Sequence, residues 1–409
     1  HQRVLATKAS ELGRTHPEVA RSVRALGQIY LGEGKTEQAV SYLERALEHQ
    51  VQALGESHPE VAETMFALGD TFMAKDDFRQ AEERYRHALE LLEQHYGASD
   101  IRTARAWTAL AGLYERKQQW SKAQPLLGQA VSSVEAVLGP SHLEVADLLL
   151  RTAEVYLISG AWEEVSGPLE RALEIRTDKL GEEHPAVARA LLLKGQLSLA
   201  TGDVVGARRL FGKADQIISE HHGAESAERL PYRLALAGAL RELDELEQAH
   251  SHLQTLLTAE FWQTHKNREL AMADIHEEVA KLELSRSALP VAESFAKQAL
   301  DVRSRLLGPQ SEGVAAAMEV LAQIHRQDGR TITASALAER SLEARSSADS
   351  TAEGRATSVM GRSRVLTLLA QLELDQAAHA KAAELANEAL NLRRDLLGED
   401  HPEVASALH

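Results

Sequence analysis

The strongest constraint on how this chain folds is a sequence repeat with a period of 42 residues. Five segments share one pattern: LGRTHPEVA at Leu12, LGESHPEVA at Leu54, LGPSHLEVA at Leu138, LGEEHPAVA at Leu180 and LGEDHPEVA at Leu397. The glycine of this segment recurs every 42 residues from Gly13 to Gly223, and the register then shifts near Thr264 and within Ser346 to Ser358. A period of this length is typical of stacked supersecondary units rather than of one globular core.

Each unit contains two amphipathic helical patterns, which we name helix A and helix B. Apolar positions recur at spacings of three and four residues, as expected for one face of a helix. In the first unit they are Leu26, Gly27 and Tyr30 in helix A, and Ala39, Leu43 and Ala46 in helix B. The small residues predict a close approach of the two helices, and the large ones predict filled gaps between layers.

Glycine and proline mark the predicted helix ends. The glycines between helix A and helix B of a unit are Gly34, Gly160, Gly202 and Gly329. Gly13 and its equivalents follow helix B, where we expect a residue in the left-handed αL conformation. Pro17 and its equivalents fall in the first turn of the next helix A. In the second unit either Ser57 or His58 is expected to cap that helix.

A single helix pair cannot bury its apolar face, so successive pairs must stack into an α-solenoid. The predicted fold is therefore all-α, with nine pairs that begin near His16, His58, Asp100, His142, His184, Ala224, Lys266, Ser311 and Gly354. Residues 1–15 are predicted to be the second helix of a truncated repeat, 16–223 five regular repeats, 224–310 two divergent repeats, 311–400 two repeats with a longer polar connection near 346–354, and 401–409 the start of a further repeat. Neither end has a polar capping element, so we expect a portion of a longer protein. We also expect Ser346 to Gly354 to be the longest non-helical connection.

Composition excludes several classes of protein. The absence of cysteine excludes a disulfide scaffold, a Cys-ligated metal and a thiol nucleophile. A net charge of -16 argues against a nucleic-acid partner, which needs clustered Lys and Arg. No apolar run approaches the roughly 18 residues of a transmembrane helix. We expect a cytoplasmic location, and composition does not indicate the oligomeric state.

The repeat resembles the tetratricopeptide repeat, and its 42-residue length and LGEDHPEVA loop are similar to the variety found in kinesin light chains. The segments EQAVSYLERALE at Glu37 and SKAQPLLGQAV at Ser121 also resemble the second helix of that family. The resemblance is specific in the first five units and weaker in the sixth to eighth. It implies a right-handed solenoid whose A helices line a concave surface that binds a partner.

No catalytic or metal-binding pattern is present in the sequence. His16, His58, His142, His184 and His401 occupy one loop position in different units. Packed helices lie about 8–10 Å apart, so these histidines are too distant to share a metal ion, and we expect them to cap helices. There is no phosphate-binding glycine loop and no metalloprotease or hydrolase motif. We therefore expect no enzyme activity, no cofactor and no metal.

The predicted partner-binding residues lie three positions before, or four positions after, Gly27 and its equivalents in the other units. They are Arg24, Phe66, Met73, Leu150, Leu157, Leu192, Leu199 and Leu234. Thr108 and Glu115 interrupt this apolar stripe in the third unit. The stripe fits a groove for an apolar or amphipathic segment. The alternative is that these side chains only pack against the neighbouring A helix.

One departure from the resembled family concerns asparagine. Kinesin light chains carry Asn in the middle of helix A, where it holds the backbone of a cargo peptide. The corresponding pairs here, from Arg24–Ala25 to Leu234–Ala235, contain no Asn. Because a bound peptide backbone needs amide partners, we do not expect that mode of recognition, nor the Lys/Asn carboxylate clamp of chaperone-binding repeats.

The charged residues six positions before Gly27 and its equivalents alternate in sign. They are Arg21, Glu63, Arg105, Asp147 and Arg189. Because equivalent positions on stacked A helices are neighbours, we expect a ladder of ion pairs between repeats. Exposed pairs contribute only about 0–1 kcal/mol each, so the ladder would set register rather than bulk stability.

Two functions fit these patterns. The first is a non-catalytic scaffold of the kinesin light chain-like type, binding a protein or peptide on its concave face; its more specific version is an adaptor for a tubulin-like filament. The alternative is a regulatory or sensor module that controls a catalytic domain outside these residues.

Overall fold

The computed structural model of the chain describes residues 10, 12–13, 16–223, 226–259, 262, 268–348, 355–397 and 404. Over these residues the chain is all-helical, with 18 α-helices, one short 3-10 helix at Ala227–Arg229 and no strand. The first ten helices are α1 Pro17–Gly32, α2 Thr36–Leu54, α3 Pro59–Ala74, α4 Phe78–Tyr96, α5 Ile101–Arg116, α6 Trp120–Leu138, α7 Leu143–Ser159, α8 Trp162–Leu180, α9 Pro185–Ala200 and α10 Val204–His222. The others are α11 Leu230–Glu242, α12 Leu246–Thr258, α13 Arg268–Ser285, α14 Leu289–Leu307, α15 Glu312–Gln327, α16 Thr331–Ala348, α17 Arg355–Asp375 and α18 His379–Leu397.

The predicted helix pairs are confirmed over the described ranges. Odd-numbered helices are the A helices and even-numbered ones the B helices, which gives nine pairs with starts close to the predicted positions. The predicted polar connection is partly wrong, because α16 continues through Ala348. Arg345, whose side chain is buried, anchors the last turns of α16 to Glu312 and Glu319. Residues 349–354, most of 1–15 and most of 398–409 lie outside the described residues.

The chain divides into two compact units, each made of several repeats: the first unit is residues 1–155, and the second unit is residues 156–409. In the first unit, Leu68, Tyr85 and Leu127 belong to one buried cluster between A and B helices. In the second unit, Phe211 and Leu256 belong to another. No helix within the described ranges has the length and apolar character needed to cross a bilayer.

Histidine caps four of the A helices. The Nδ1 atoms of His16, His58, His142 and His184 each accept a hydrogen bond from the backbone N–H two residues further on, at 3.1–3.2 Å. The predicted capping role is confirmed for these four, and in the second repeat the cap is His58 rather than Ser57. His401 lies outside the described residues.

The glycines that end six of the described B helices adopt a conformation different from the predicted one. Gly55 has φ 86° and ψ 160°, and Gly181 has φ 88° and ψ 157°. The positive φ was expected, but the αL conformation is wrong because ψ is extended. This region of backbone conformation is open essentially only to glycine, and it leads the chain directly into the next A helix.

The predicted close approach of helix A and helix B is confirmed where helix A carries glycine. A Cβ atom on Gly69 would lie 2.5 Å from the Tyr85 ring, and one on Gly195 would lie 2.4 Å from the Phe211 ring. Where helix A has alanine, as at Ala111, the facing B-helix residue in the same cluster is the smaller Leu127. The aromatic B-helix residues thus face glycine, whereas leucine faces alanine in the third repeat and glycine in the first, where a Cβ on Gly27 would lie 2.6 Å from Leu43.

Candidate functional site

The A helices of the first unit line a groove of about 760 Å³. We name it the A-helix groove and define it by Phe66, Asp70, Met73, Arg105, Ala109 and Leu148. Phe66, Asp70 and Met73 follow one another at spacings of four and three residues along α3, which places them on one face. Arg105 and Ala109 come from α5, and Leu148 from α7.

The structure places two of the predicted stripe residues, Phe66 and Met73, together in the lining of this groove. Both are partly buried and pack against the core of the first unit. Arg24 lies in a smaller neighbouring cleft of about 200 Å³ that it shares with Phe66. Its guanidinium Nη1 lies 2.5 Å from the Glu63 carboxylate, so its charge is already paired.

The other stripe residues are not part of the lining of this groove. Leu150 is only 1% exposed, so its side chain is part of the core and is not open to a partner. Leu192, Leu199 and Leu234 are partly buried and pack against the core cluster of the second unit, and Leu157 is partly buried as well. For Leu150 the structure agrees with the packing alternative. The other four are partly exposed, as Phe66 and Met73 are, and remain predicted partner-binding residues.

Asp70 lies on the floor of the A-helix groove, and the sequence analysis did not select it. The Tyr85 hydroxyl donates a hydrogen bond to Asp70 Oδ1 at 2.6 Å. Burial raises the pKa of Asp70, and the positive charge of Arg105 only partly opposes this effect. The pKa of Tyr85 is raised by its own burial and by the Asp70 charge beside it. No sequence pattern singles out Asp70, because the equivalent residues of the first, third and fifth repeats are Gln28, Gly112 and Gln196.

Two of the three arginines in the groove are held by carboxylates. Arg151 Nε and Nη2 donate to the two oxygens of Glu115 at 2.9 Å and 3.0 Å. Gly112 leaves room for this pair, because a Cβ there would lie 2.7 Å from Arg151 Nη2. Arg116 donates to Asp76 at 2.5 Å.

The third, Arg105, lies over the Phe66 ring with its guanidinium carbon 5.8 Å from the ring centre. It therefore forms one wall of the groove above the apolar floor, at a distance where a guanidinium and an aromatic face attract.

The predicted ion-pair ladder is wrong for its first members. Arg21 binds Glu60 and Glu18 rather than Glu63, and Glu63 instead pairs with Arg24. In the first four repeats, two ion pairs between neighbouring A helices join residues fewer than 42 apart: 39 for Arg21 and Glu60, and 36 for Arg151 and Glu115. The charges that meet are therefore offset by three to six residues from equivalent positions, which the spacing rule did not include.

The second unit has a groove of its own, also of about 760 Å³, between α15 and α17. Gln323, Arg326, Arg364 and Gln371 line it. Gln323 and Gln371 are A-helix amides of the eighth and ninth repeats, beyond the six repeats whose helix A centres lack asparagine. Their polar groups already bind one another: Arg326 donates to Gln371 at 2.8 Å and to Asp375 at 2.8 Å, and Arg364 donates to Glu319 at 3.1 Å.

Within the described part of the chain, no group of three or more His, Asp or Glu side chains is placed to hold a metal ion.

Comparison with protein families agrees with the repeat architecture. A family model described as tetratricopeptide repeat matches residues 1–50, 29–94, 102–178 and 271–347, and a second model of the same description matches residues 364–403. The first model alone covers more than half of the chain. The chain therefore belongs to the tetratricopeptide repeat family. No curated protein matches it by sequence.

Solved structures similar to this chain include two with kinesin light chain names. Kinesin light chain TPR-like repeats from Podosopora anserina are 23% identical and cover 50% of this chain and 98% of that one, with a TM-score of 0.46. BtubC (BKLC) from P. vanneervenii is 19% identical and covers 67% of this chain and 92% of that one, with a TM-score of 0.41. A Rap protein complexed with competence and sporulation factor is 12% identical, covers 93% of this chain and 99% of that one, and has a TM-score of 0.51. The Rap protein shares the fold over nearly the whole chain.

Proposed function

We propose that this chain is a non-catalytic scaffold that binds a segment of a partner protein in the A-helix groove of its first unit. The observation that carries the proposal is the groove itself, about 760 Å³ in volume with Phe66 and Met73 on its floor. Binding sites for ligand side chains are typically concave, mostly apolar and supplied with a few placed polar groups. Asp70 and Arg105 are such polar groups.

The chemistry of the groove fits binding better than catalysis. Covalent catalysis needs a nucleophile beside a base, and acid–base catalysis needs a group positioned to exchange a proton with substrate. Here Arg151 and Glu115 form a static two-point pair, and Arg116 is held by Asp76. Asp70 accepts from Tyr85, whose raised pKa keeps its hydroxyl protonated. Such groups orient and select a ligand.

The test is a selection of random dodecapeptides displayed on phage, with the full chain as bait. Enriched peptides are synthesised, and their affinities are measured by fluorescence anisotropy on the wild type and on Met73→Glu. The matched control is Val137→Glu, a charge introduced at an exposed apolar residue of the same unit outside the groove. Burying one apolar side chain contributes roughly 1.5–3 kcal/mol, so Met73→Glu should weaken binding at least about tenfold. Enrichment of no peptide, or equal binding by both variants, would refute the proposal.

The filament-associated adaptor belongs to this proposal as its more specific form, with a tubulin-like filament as the partner. A co-sedimentation assay of the full chain with tubulin-like filaments tests it. Loss of co-sedimentation in Met73→Glu, with Val137→Glu unaffected, is the expected result.

A further inference from the structure

We propose that the A-helix groove selects a partner segment that carries a lysine or arginine next to an apolar side chain, and that Asp70 is the residue that binds the cation. This inference rests on the proposed function, namely that the groove holds a partner segment. It adds the charge class of that segment.

The position of Asp70 is the first step. It lies between Phe66 and Met73 on the same face of α3, so its carboxylate is surrounded by the apolar floor. Its Oδ1 accepts from the Tyr85 hydroxyl, and among the described residues no Lys or Arg lies within ion-pair distance of it. A carboxylate has about four acceptor sites. Asp70 therefore keeps capacity for a donor that comes from outside the chain.

The charges around the groove are the second step. Arg151 and Arg116 are bound by Glu115 and Asp76, so they offer little attraction to an acidic ligand. Arg105, over the Phe66 ring, is the remaining cation of the groove.

The lining also includes the exposed carboxylate of Glu144, which α7 contributes. Asp70 and Glu144 together outnumber Arg105, and the whole chain carries -16. Complementary charge steers a basic segment to such a surface and disfavours an acidic one.

The third step is spacing. Asp70 lies one helical turn from Phe66 and from Met73, so a ligand must present its cation and its apolar side chain close together. In a helical segment these residues are three or four apart, and in an extended segment they are two apart. The selected feature is thus a basic residue within four positions of a Leu, Ile, Met or Phe.

The electrostatics of Asp70 give a readout that a purely structural role would not produce. Because burial raises its pKa, Asp70 becomes protonated at a higher pH than an exposed aspartate. A protonated Asp70 has no charge for the ligand cation. Affinity for a basic ligand should therefore fall as the pH is lowered through the raised pKa of Asp70. Tyr85 stays protonated throughout, because its pKa is raised.

The experiment uses the peptides enriched on the full chain by the display selection described above. Two synthetic probes are made from the most enriched sequence, one as selected and one with its Lys or Arg replaced by Gln. Anisotropy titrations are run on the wild type and on Asp70→Asn, which keeps an acceptor for the Tyr85 hydroxyl. The control is Asp178→Asn, which removes an exposed carboxylate from α8.

We expect the wild type and Asp178→Asn to prefer the basic probe by tenfold or more, and Asp70→Asn to lose most of this preference and its pH dependence. Enriched peptides that lose affinity on Met73→Glu but lack basic residues would overturn this inference and leave the proposed function intact. An unchanged preference in Asp70→Asn would overturn it as well. If no peptide is enriched, the proposed function fails and the inference fails with it.

Discussion

The close contact between a helix A glycine and a B-helix aromatic ring leads to a prediction in which one substitution has opposite effects at two sites. In the fifth repeat, Gly195 of α9 faces Phe211 of α10, and a Cβ on Gly195 would lie 2.4 Å from the ring. Gly212, the next residue of α10, has no atom within 4 Å of the place where its Cβ would be. We expect Gly212→Ala to stabilise this repeat and Gly195→Ala to destabilise it relative to Gly212→Ala.

The magnitude follows from two opposing terms. Alanine in a helix interior is favoured over glycine by about 0.8–1 kcal/mol, and both variants gain this term. Gly195→Ala also places a carbon well inside the 3.5–4.0 Å separation that two carbons prefer. Phe211 has no exposed surface and cannot move aside, and overpacking of this kind typically costs about 1–3 kcal/mol. The two variants should therefore differ in the free energy of local unfolding by about 1–3 kcal/mol.

A double variant, Gly195→Ala with Phe211→Leu, tests whether the ring is the cause. Phe211→Leu removes the atoms that the new methyl group would contact. The double variant would also reproduce the alanine and leucine that the next repeat carries at the equivalent positions, Ala237 and Leu253. The two substitutions should then couple favourably, by about 1–2 kcal/mol, within the range for side chains in contact.

Native-state hydrogen exchange of the full chain, followed by mass spectrometry, is the suitable assay. Repeat arrays open locally, and a single melting temperature does not describe them. Protection in α9 and α10 reports the free energy of local opening in each variant. Equal protection in Gly195→Ala and Gly212→Ala, or a coupling energy near zero, would show that contact with the Phe211 ring is not what excludes a side chain at position 195.

Three further predictions concern other parts of the chain. Gln118→Gly should stabilise the third repeat by about 1 kcal/mol, because Gln118 has φ 55° in the turn between α5 and α6 where other repeats carry glycine; a lower stability by hydrogen exchange would contradict it. Leu150→Asp should unfold α7 locally rather than only weaken binding, since a charge would replace a 1% exposed side chain; retained protection in α7 would show that Leu150 is accessible after all. Hydrogen bonds from Arg330 and Lys297 lower the pKa of Glu293 from 4.5 to about 2. The contribution of Glu293 to stability is therefore present above pH 4.5 and is lost as the pH falls toward 2. Arg330→Gln should raise the Glu293 pKa in an NMR titration, and an unchanged value would contradict the pairing.

The sequence by itself determined the helix pairs, their ends and the matching of small and large residues. These features depend on residues close together in the chain. His58 caps a helix through the backbone N–H only two residues away, and Gly55 ends the preceding helix because of its own conformational freedom. The 42-residue period repeats such local signals in each unit, so the pairing of helices and their stacking can be predicted from spacing alone.

The tertiary structure decided which side chains remain open and which charges meet. Helical spacing places a residue on a face, but which charged groups meet across two helices depends on how all their side chains pack together. Arg21 binds Glu60 rather than Glu63, and Leu150 is buried while Phe66 and Met73 line a groove. Asp70 became a candidate site residue only when Tyr85, Arg105 and the apolar floor were seen around it, because the energy of a carboxylate depends on neighbours that are distant in the sequence.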